Sequence, residues 1–355
     1  MLKIYGSVIA CSIALALGFG TMSPRPAAAE KLRFVADWIL GGKHAPFLLA
    51  RDMGYWKKAG LDISINRGFG SGSSSKILAA KKADFSFIDL GTLIIHRTRG
   101  AMIRQVGAIH AINPIGYVAF SKSVKEPKDL AGKTFGGAAF SSTTYLLPAF
   151  LRRAKVDPKS VKIEHMKISS ILPSFMAGKI DMFGVYTINS YQFLRLGMIK
   201  QGRDPDKELS LFLSVDQGMD SYSNGLAVRD SMIQNNPGLV RRWVRSTLDA
   251  FRDTVKNPER SLKNFNAKLP EVSKIASAAE LDGMIRSLLS PEARTIGLGW
   301  LKEEKVRITQ DGMFETGKAK GNKLPVKDLY STEFLEKRPV TKDEIPGRFQ
   351  RLGLL

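Results

Sequence analysis

The sequence predicts an α/β fold of two lobes, each a mainly parallel sheet flanked by helices. Three observations lead there. Strand-like and helix-like runs alternate between residues 32 and 88 in the order strand, helix, strand, helix, strand, the rhythm of parallel strands joined by helices. The stretch SSSKILAAKKADFSFID (73–89) then finds a counterpart in SSILPSFMAGKIDMFGVY (169–186). Aligning Asp84 with Asp181 also superposes Ala80 on Ala177 and Lys82 on Lys179. Finally, no low-complexity linker divides the chain, so the halves are expected to be joined by crossing strands near 117–119 and 222–227. Lobe 1 is then 30–117 plus 223–355, and lobe 2 is 118–222.

The first 29 residues read as a secretory signal peptide. MLKIYGS is a short basic start, VIACSIALALGFG an apolar run, and Pro26-Ala27-Ala28-Ala29 a small-residue cleavage site before Glu30. The run falls short of the roughly 20 residues that span a bilayer. Val8-Ile9-Ala10-Cys11 loosely resembles a lipidation box, but almost no apolar stretch precedes it. Cys11 is the only cysteine. Once the signal is removed, no disulfide, thiol nucleophile or thiolate metal site remains, which suits a bacterial periplasmic protein with a substantial core.

From residue 30 the elements follow in order. A strand at 32–36 leads into a loop bearing Trp38, Gly41, Gly42 and His44. A helix at about 45–53 has Pro46 in its first turn, where the missing N–H costs nothing. A strand at 62–66 is followed by the run GFGSGSSS (68–75), a helix at 76–82 and a strand at 85–88. Further on come a strand at 117–121, a short helix at 127–130, a strand at 134–136, a helix at 145–154 and a strand at 161–165. A strand within 222–230 precedes a strong helix that Asn235 or Asn236 can cap, with Val240, Val244, Leu248 and Phe251 at helical spacing. The remainder reads as mostly helical and ends in a polar tail.

The net charge is +21, of which Lys3 and Arg25 account for two. The basic residues are spread in short doublets such as Lys57-Lys58, with no basic helix carrying interleaved aromatics. A basic surface facing an anionic cell envelope fits this better than a nucleic-acid partner.

In open α/β sheets ligands bind beyond the carboxyl ends of the strands. Four loops reach that edge with suitable chemistry. In the first, Trp38 offers a flat face for stacking and His44 a hydrogen-bonding ring, while Gly41 and Gly42 let backbone approach a ligand. In the second, Gly70, Ser71 and Ser73 stand at a helix start, where exposed N–H groups favour an anion. Ser141, Ser142, Thr143 and Thr144 form a similar turn, and capping explains one hydroxyl of the four. Asp89, Tyr186 and Asn189 follow the matching strands of the two halves. His44, His96, His110 and His165 show no metal-ligand spacing, and there is no nucleophile elbow, so neither a metal, a cofactor nor catalysis is expected.

The stretches DWILGGKHAPFLLARDMGYWKKAGLDISI, GSGSSSKILAAKKADFSFID, KDLAGKTFGG, ILPSFMAGKIDM and NPGLVRRWVRSTLDAF together resemble the periplasmic solute-binding proteins of ABC importers, in the nitrate, sulfonate and thiamine-precursor group. The resemblance implies the two-lobe periplasmic binding protein fold (type II) with a ligand cleft between the lobes, and a membrane permease as partner. Asp37-Trp38 followed by His44 resembles the branch in which an aromatic residue and a histidine contact a pyrimidine. Here Gly41-Gly42 and Ala45-Pro46 stand where that branch has asparagines and threonine-glycine. The ligand classes left open are a pyrimidine, another planar aromatic molecule, and a sulfonate, taurine or nitrate-type oxyanion. A pyrimidine-synthase-like enzyme and a ligand sensor are the alternatives on the same scaffold.

Overall fold

Alternation of buried Leu32 and Phe34 with exposed Lys31 and Arg33 marks the first strand, β1 (Glu30–Val35), whose outer part is covered on one face. The computed structural model describes residues 30–350, so the expected signal peptide and Cys11 lie outside the described residues. Downstream follow α1 (Ala45–Asp52), β2 (Leu61–Asn66), α2 (Ser71–Ala79), β3 (Phe85–Asp89), α3 (Leu90–Arg97) and β4 (Ile103–Ala108). The chain then builds β5 (Ile115–Phe120), β6 (Thr134–Gly137), α4 (Ser142–Arg153), β7 (Lys162–His165), α5 (Ile168–Met176), β8 (Met182–Tyr186), α6 (Ser190–Lys200) and β9 (Leu209–Leu213). It returns through β10 (Asn224–Arg229) and continues as helices, among them α7 (Pro237–Lys256), α8 (Lys274–Leu288) and α9 (Glu303–Glu315).

Two five-stranded sheets result, ordered β2-β1-β3-β10-β4 and β7-β6-β8-β5-β9. The patterns match position for position. In each, three strands run parallel, and the fourth, β10 or β5, is antiparallel to both neighbours. Central β3 is buried along its whole length, whereas edge strand β2 alternates buried and exposed residues.

The repeat seen in the sequence is a repeat of structure. The Asp84 carboxylate accepts from the Arg33 N–H at 2.9 Å while the Asp84 N–H donates to the Arg33 carbonyl at 2.8 Å. Asp181 clasps Thr134 in the same way, at 2.8 and 2.9 Å. Each aspartate thus locks the start of one parallel strand to its neighbour.

Because Tyr117, Val118 and Ala119 are ladder residues of the second sheet, the chain passes between sheets earlier than 117–119, through 109–114 and 214–223. Two further differences are local. α2 begins at Ser71, so the serine run is the helix's own first turn rather than a turn before it. Asn236 occupies the cap position of α7 but makes no side-chain cap bond.

Against the first sheet, α1 and α7 bury Phe47, Trp56, Trp243 and Phe251, with Phe85 stacked on Trp243 at 4.1 Å. A second cluster runs across both sheets, from Ile88 and Ala227 to Tyr117, Phe135 and Met182. The sheets therefore share apolar packing as well as two connections. A third, smaller cluster around Phe175 and Phe183 lies under α5 and α6.

Candidate functional site

β1, β2, β6 and β8 end facing the gap between the sheets, and three of the helices that follow them, α2, α4 and α6, point their N-termini into it. Ser71, Ser142 and Ser190, the first residues of α2, α4 and α6, line one inner chamber of about 40 Å³. From the first sheet's side come Asp37, Trp38, Lys43 and Gly70; from the second come Ser141, Thr143, Gly184, Tyr186 and Asn189.

The loop after β1 carries a buried charge cluster. Asp37 accepts from the Lys43 ammonium at 2.6 Å and from His44 Nε2 at 2.7 Å. The Gly41 N–H donates to His44 Nδ1 at 3.1 Å, which fixes the tautomer with the proton on Nε2. Burial pushes the His44 imidazole down against the pull of Asp37, so the ring is neutral. Burial alone would raise the Asp37 carboxyl, but the Lys43 ammonium and the His44 N–H outweigh it and hold it well below the usual range. Lys43 also lies 5.2 Å from the Tyr186 ring centre, a cation–π contact across the cleft.

Packing requires both Gly41 and Gly42. A Cβ on Gly42 would lie 1.8 Å from the Ser277 carbonyl, and one on Gly41 2.1 Å from the Glu280 carboxylate, so the loop lies directly on α8. Gly70, at φ 111°, is the other position where glycine is required. Its N–H donates to the Asp37 carbonyl at 2.8 Å, and its missing Cβ leaves room for the Phe140 carbonyl of the second sheet's side.

On the opposite wall, Ser141 caps α4 by accepting from the Thr144 N–H at 3.2 Å. Its hydroxyl also meets those of Thr143 (3.1 Å) and Thr144 (2.9 Å). Three of the four hydroxyls reach the chamber, and Thr144 packs behind, over Gly137. Gly184 lies under Thr143.

Several bonds join the walls. The Gly72 N–H donates to the Phe140 carbonyl at 3.0 Å, and the Tyr186 hydroxyl to Asn224 Oδ1 at 2.9 Å. The Asn189 amide donates to the buried Glu280 carboxylate. Burial pushes Glu280 up to about 7, against Lys43, two backbone N–H groups and Asn189.

Of the residues singled out in the sequence, the structure brings Trp38, Gly70, Ser71, Ser141, Ser142, Thr143, Tyr186 and Asn189 together at the chamber. The other three are placed elsewhere. His44 sits behind Asp37 with both ring nitrogens engaged. Asp89 caps α3, accepting from the Thr92 N–H at 2.7 Å, the Thr92 hydroxyl at 2.8 Å and the Ser223 hydroxyl at 3.1 Å. Ser73 does not line the chamber. Sequence reasoning missed Asp37, Lys43, Gly184, Ser190 and Glu280. Asp37 and Lys43 were visible beside Trp38 and His44, but Glu280, remote in sequence, carried no signal. Among the described residues no cluster of acids and histidines is placed to hold a metal ion.

The family described as NMT1/THI5 like matches residues 42–261. The chain belongs to that family. A relative, the riboflavin-binding protein RibY of Chloroflexus aurantiacus, is 24% identical over 258 residues, covering 71% of each protein. The taurine-binding periplasmic protein of Escherichia coli is 25% identical over 203 residues, 56% of this chain and 60% of its own. The solved alkanesulfonate-binding protein SsuA from Xanthomonas axonopodis pv. citri, bound to MOPS, aligns with a TM-score of 0.65 at 14% identity, covering 85% of this chain and 98% of that one. This NMT1/THI5-like chain therefore has the two-lobe periplasmic binding protein fold.

Proposed function

We propose that the protein is the periplasmic solute-binding component of an ABC importer, and that its inner chamber holds the anionic group of a small organic ligand. One observation carries the anion reading: three helix N-termini, drawn from both walls, meet at one chamber whose charged residues already cancel. Asp37 is taken up by Lys43 and His44, so the net field left for a ligand is that of hydroxyls and helix dipoles. A ligand touching both walls favours the shut cleft by its differential affinity, and the shut form is what a membrane permease would receive. The names of the relatives, which bind riboflavin and taurine, support a transport role. Among the described residues no helix is long and apolar enough to cross a membrane.

Catalysis by His44 is disfavoured, because Gly41 and Asp37 occupy both of its ring nitrogens. Calorimetric titration with pairs of ligands differing only at the head group tests the reading. A sulfonate or carboxylate is expected to bind at least about thirtyfold tighter than its neutral alcohol, the worth of charge-assisted hydrogen bonds. Equal binding of the two would overturn it.

A further inference from the structure

The inner chamber opens onto an outer groove of about 560 Å³, and Trp38, Ser141, Thr143, Gly184, Asn189 and Ser190 line both. The chamber has room for a head group and little more, whereas the groove has the size of a site for a whole drug-sized molecule. Its walls are apolar and come from both sides of the cleft: Ile168, Ile171, Leu172 and Phe193 from α5 and α6, Leu40 and Val272 from the facing loops. α5, ISSILPSFM, is a strongly apolar helix of which only Phe175 is fully buried. Its remaining apolar face borders the groove, and apolar surface gathered in this way marks a binding site more often than an accident of folding.

Resting on the anion reading above, we infer that the ligand carries a bulky apolar body, a fused aromatic system or an alkyl chain, that lies along this groove with its single anionic group in the chamber. The acidic residues on the groove argue against a second anionic group at the far end. Glu271 stands exposed at the rim, and Glu280 is already engaged by Asn189. Trp38, half-buried and common to both compartments, supplies a flat face where head and body join.

Titration calorimetry with ethanesulfonate, octanesulfonate, 2-naphthalenesulfonate, 1,8-octanedisulfonate and 1-octanol tests this. Octanesulfonate and naphthalenesulfonate are expected to bind at least about thirtyfold tighter than ethanesulfonate, since each fully buried methylene is worth about fourfold. The disulfonate should bind more weakly than octanesulfonate. Leu172→Ser should cost octanesulfonate about tenfold and leave ethanesulfonate within about twofold; Ile168→Ser, at a half-buried position, serves if the first variant melts. A flat series across chain lengths overturns the inference and leaves the anion reading standing. Octanol binding as tightly as octanesulfonate overturns the anion reading and leaves the groove. Failure of every sulfonate to bind overturns both.

Discussion

The two walls of the cleft solve the same problem with different chemistry. The wall built on the first sheet is charged and internally satisfied: Asp37, Lys43 and His44 are buried and bonded to one another, and the loop that carries them rests on α8. The wall built on the second sheet presents hydroxyls on the first turn of a helix, Ser141, Ser142 and Thr143, and an amide, Asn189. A hydroxyl can rotate to donate or accept, whereas a buried ion pair has one arrangement that is not costly. The first wall is therefore a fixed electrostatic frame, and the second adapts to what enters. Substitutions in the Asp37, Lys43 and His44 cluster should be read in stability, and those of the hydroxyls that line the chamber in affinity.

The largest effect that would break this contrast is at Asp37. Asp37→Asn leaves a buried ammonium without its counter-ion and should cost about 3–5 kcal/mol in urea denaturation; a loss below about 1 kcal/mol would mean the frame is not held by charge. The pH dependence has a definite sign. The folded carboxyl titrates below its unfolded value of about 3.9, so its contribution is fully present above that pH and is lost as the pH falls.

Glu280 should do the reverse in a separate window. Its folded value, about 7, lies above the unfolded one of about 4.3, so the folded state binds the extra proton. Stability should decline as the pH rises from 4.3 towards 7 and then level off, by at most roughly 4 kcal/mol. Glu280→Gln can still accept from Asn189 and should flatten that decline, measured as denaturation midpoints across the range. An unchanged slope would show that the carboxyl is not the group responsible.

Gly42→Ala comes next. The new Cβ meets a backbone carbonyl of α8, which cannot turn aside, so the loop must lift and the charge cluster with it. A loss of about 2 kcal/mol is expected. Wild-type stability would show instead that the loop is free of the helix.

Much of this is legible in the sequence. The repeat was legible because each aspartate stands at the start of a parallel strand, and aligning Asp84 with Asp181 found it; the clasp each makes, to Arg33 and to Thr134, was not. The chamber residues were legible for a related reason: they follow parallel strands and begin helices, where serine, threonine and asparagine have few other duties than capping. What escaped was long-range. Gly41 and Gly42 read as a ligand loop because their partners, Ser277 and Glu280, are contributed by a helix far along the chain. Trp38 and His44 drew attention by residue type, while the neighbours that neutralise the site, Asp37 and Lys43, were passed over. Nor does sequence spacing show that β5 and β10 enter their sheets antiparallel, because that depends on how the two halves are joined in space.

The smallest effect is also the most specific. Ser71 and Ser73 lie two residues apart in the same serine run, and on a helix that separation turns them to different sides. Ser71 lines the chamber; its oxygen accepts from the Asp89 N–H at 3.1 Å, which leaves its proton free to donate to a ligand. Ser73 is half-buried away from it. With octanesulfonate as probe, Ser71→Ala should lower affinity about tenfold, the worth of one hydrogen bond to a charged group, while Ser73→Ala stays within about twofold. Ser73→Ala should leave the denaturation midpoint unchanged, whereas Ser71→Ala, which leaves the Asp89 N–H without its acceptor, should cost about 1–3 kcal/mol. The reverse order of affinities would place the ligand on the other side of α2, outside the cleft, and the contrast between a fixed and an adaptable wall would then describe a packing interface rather than a binding site.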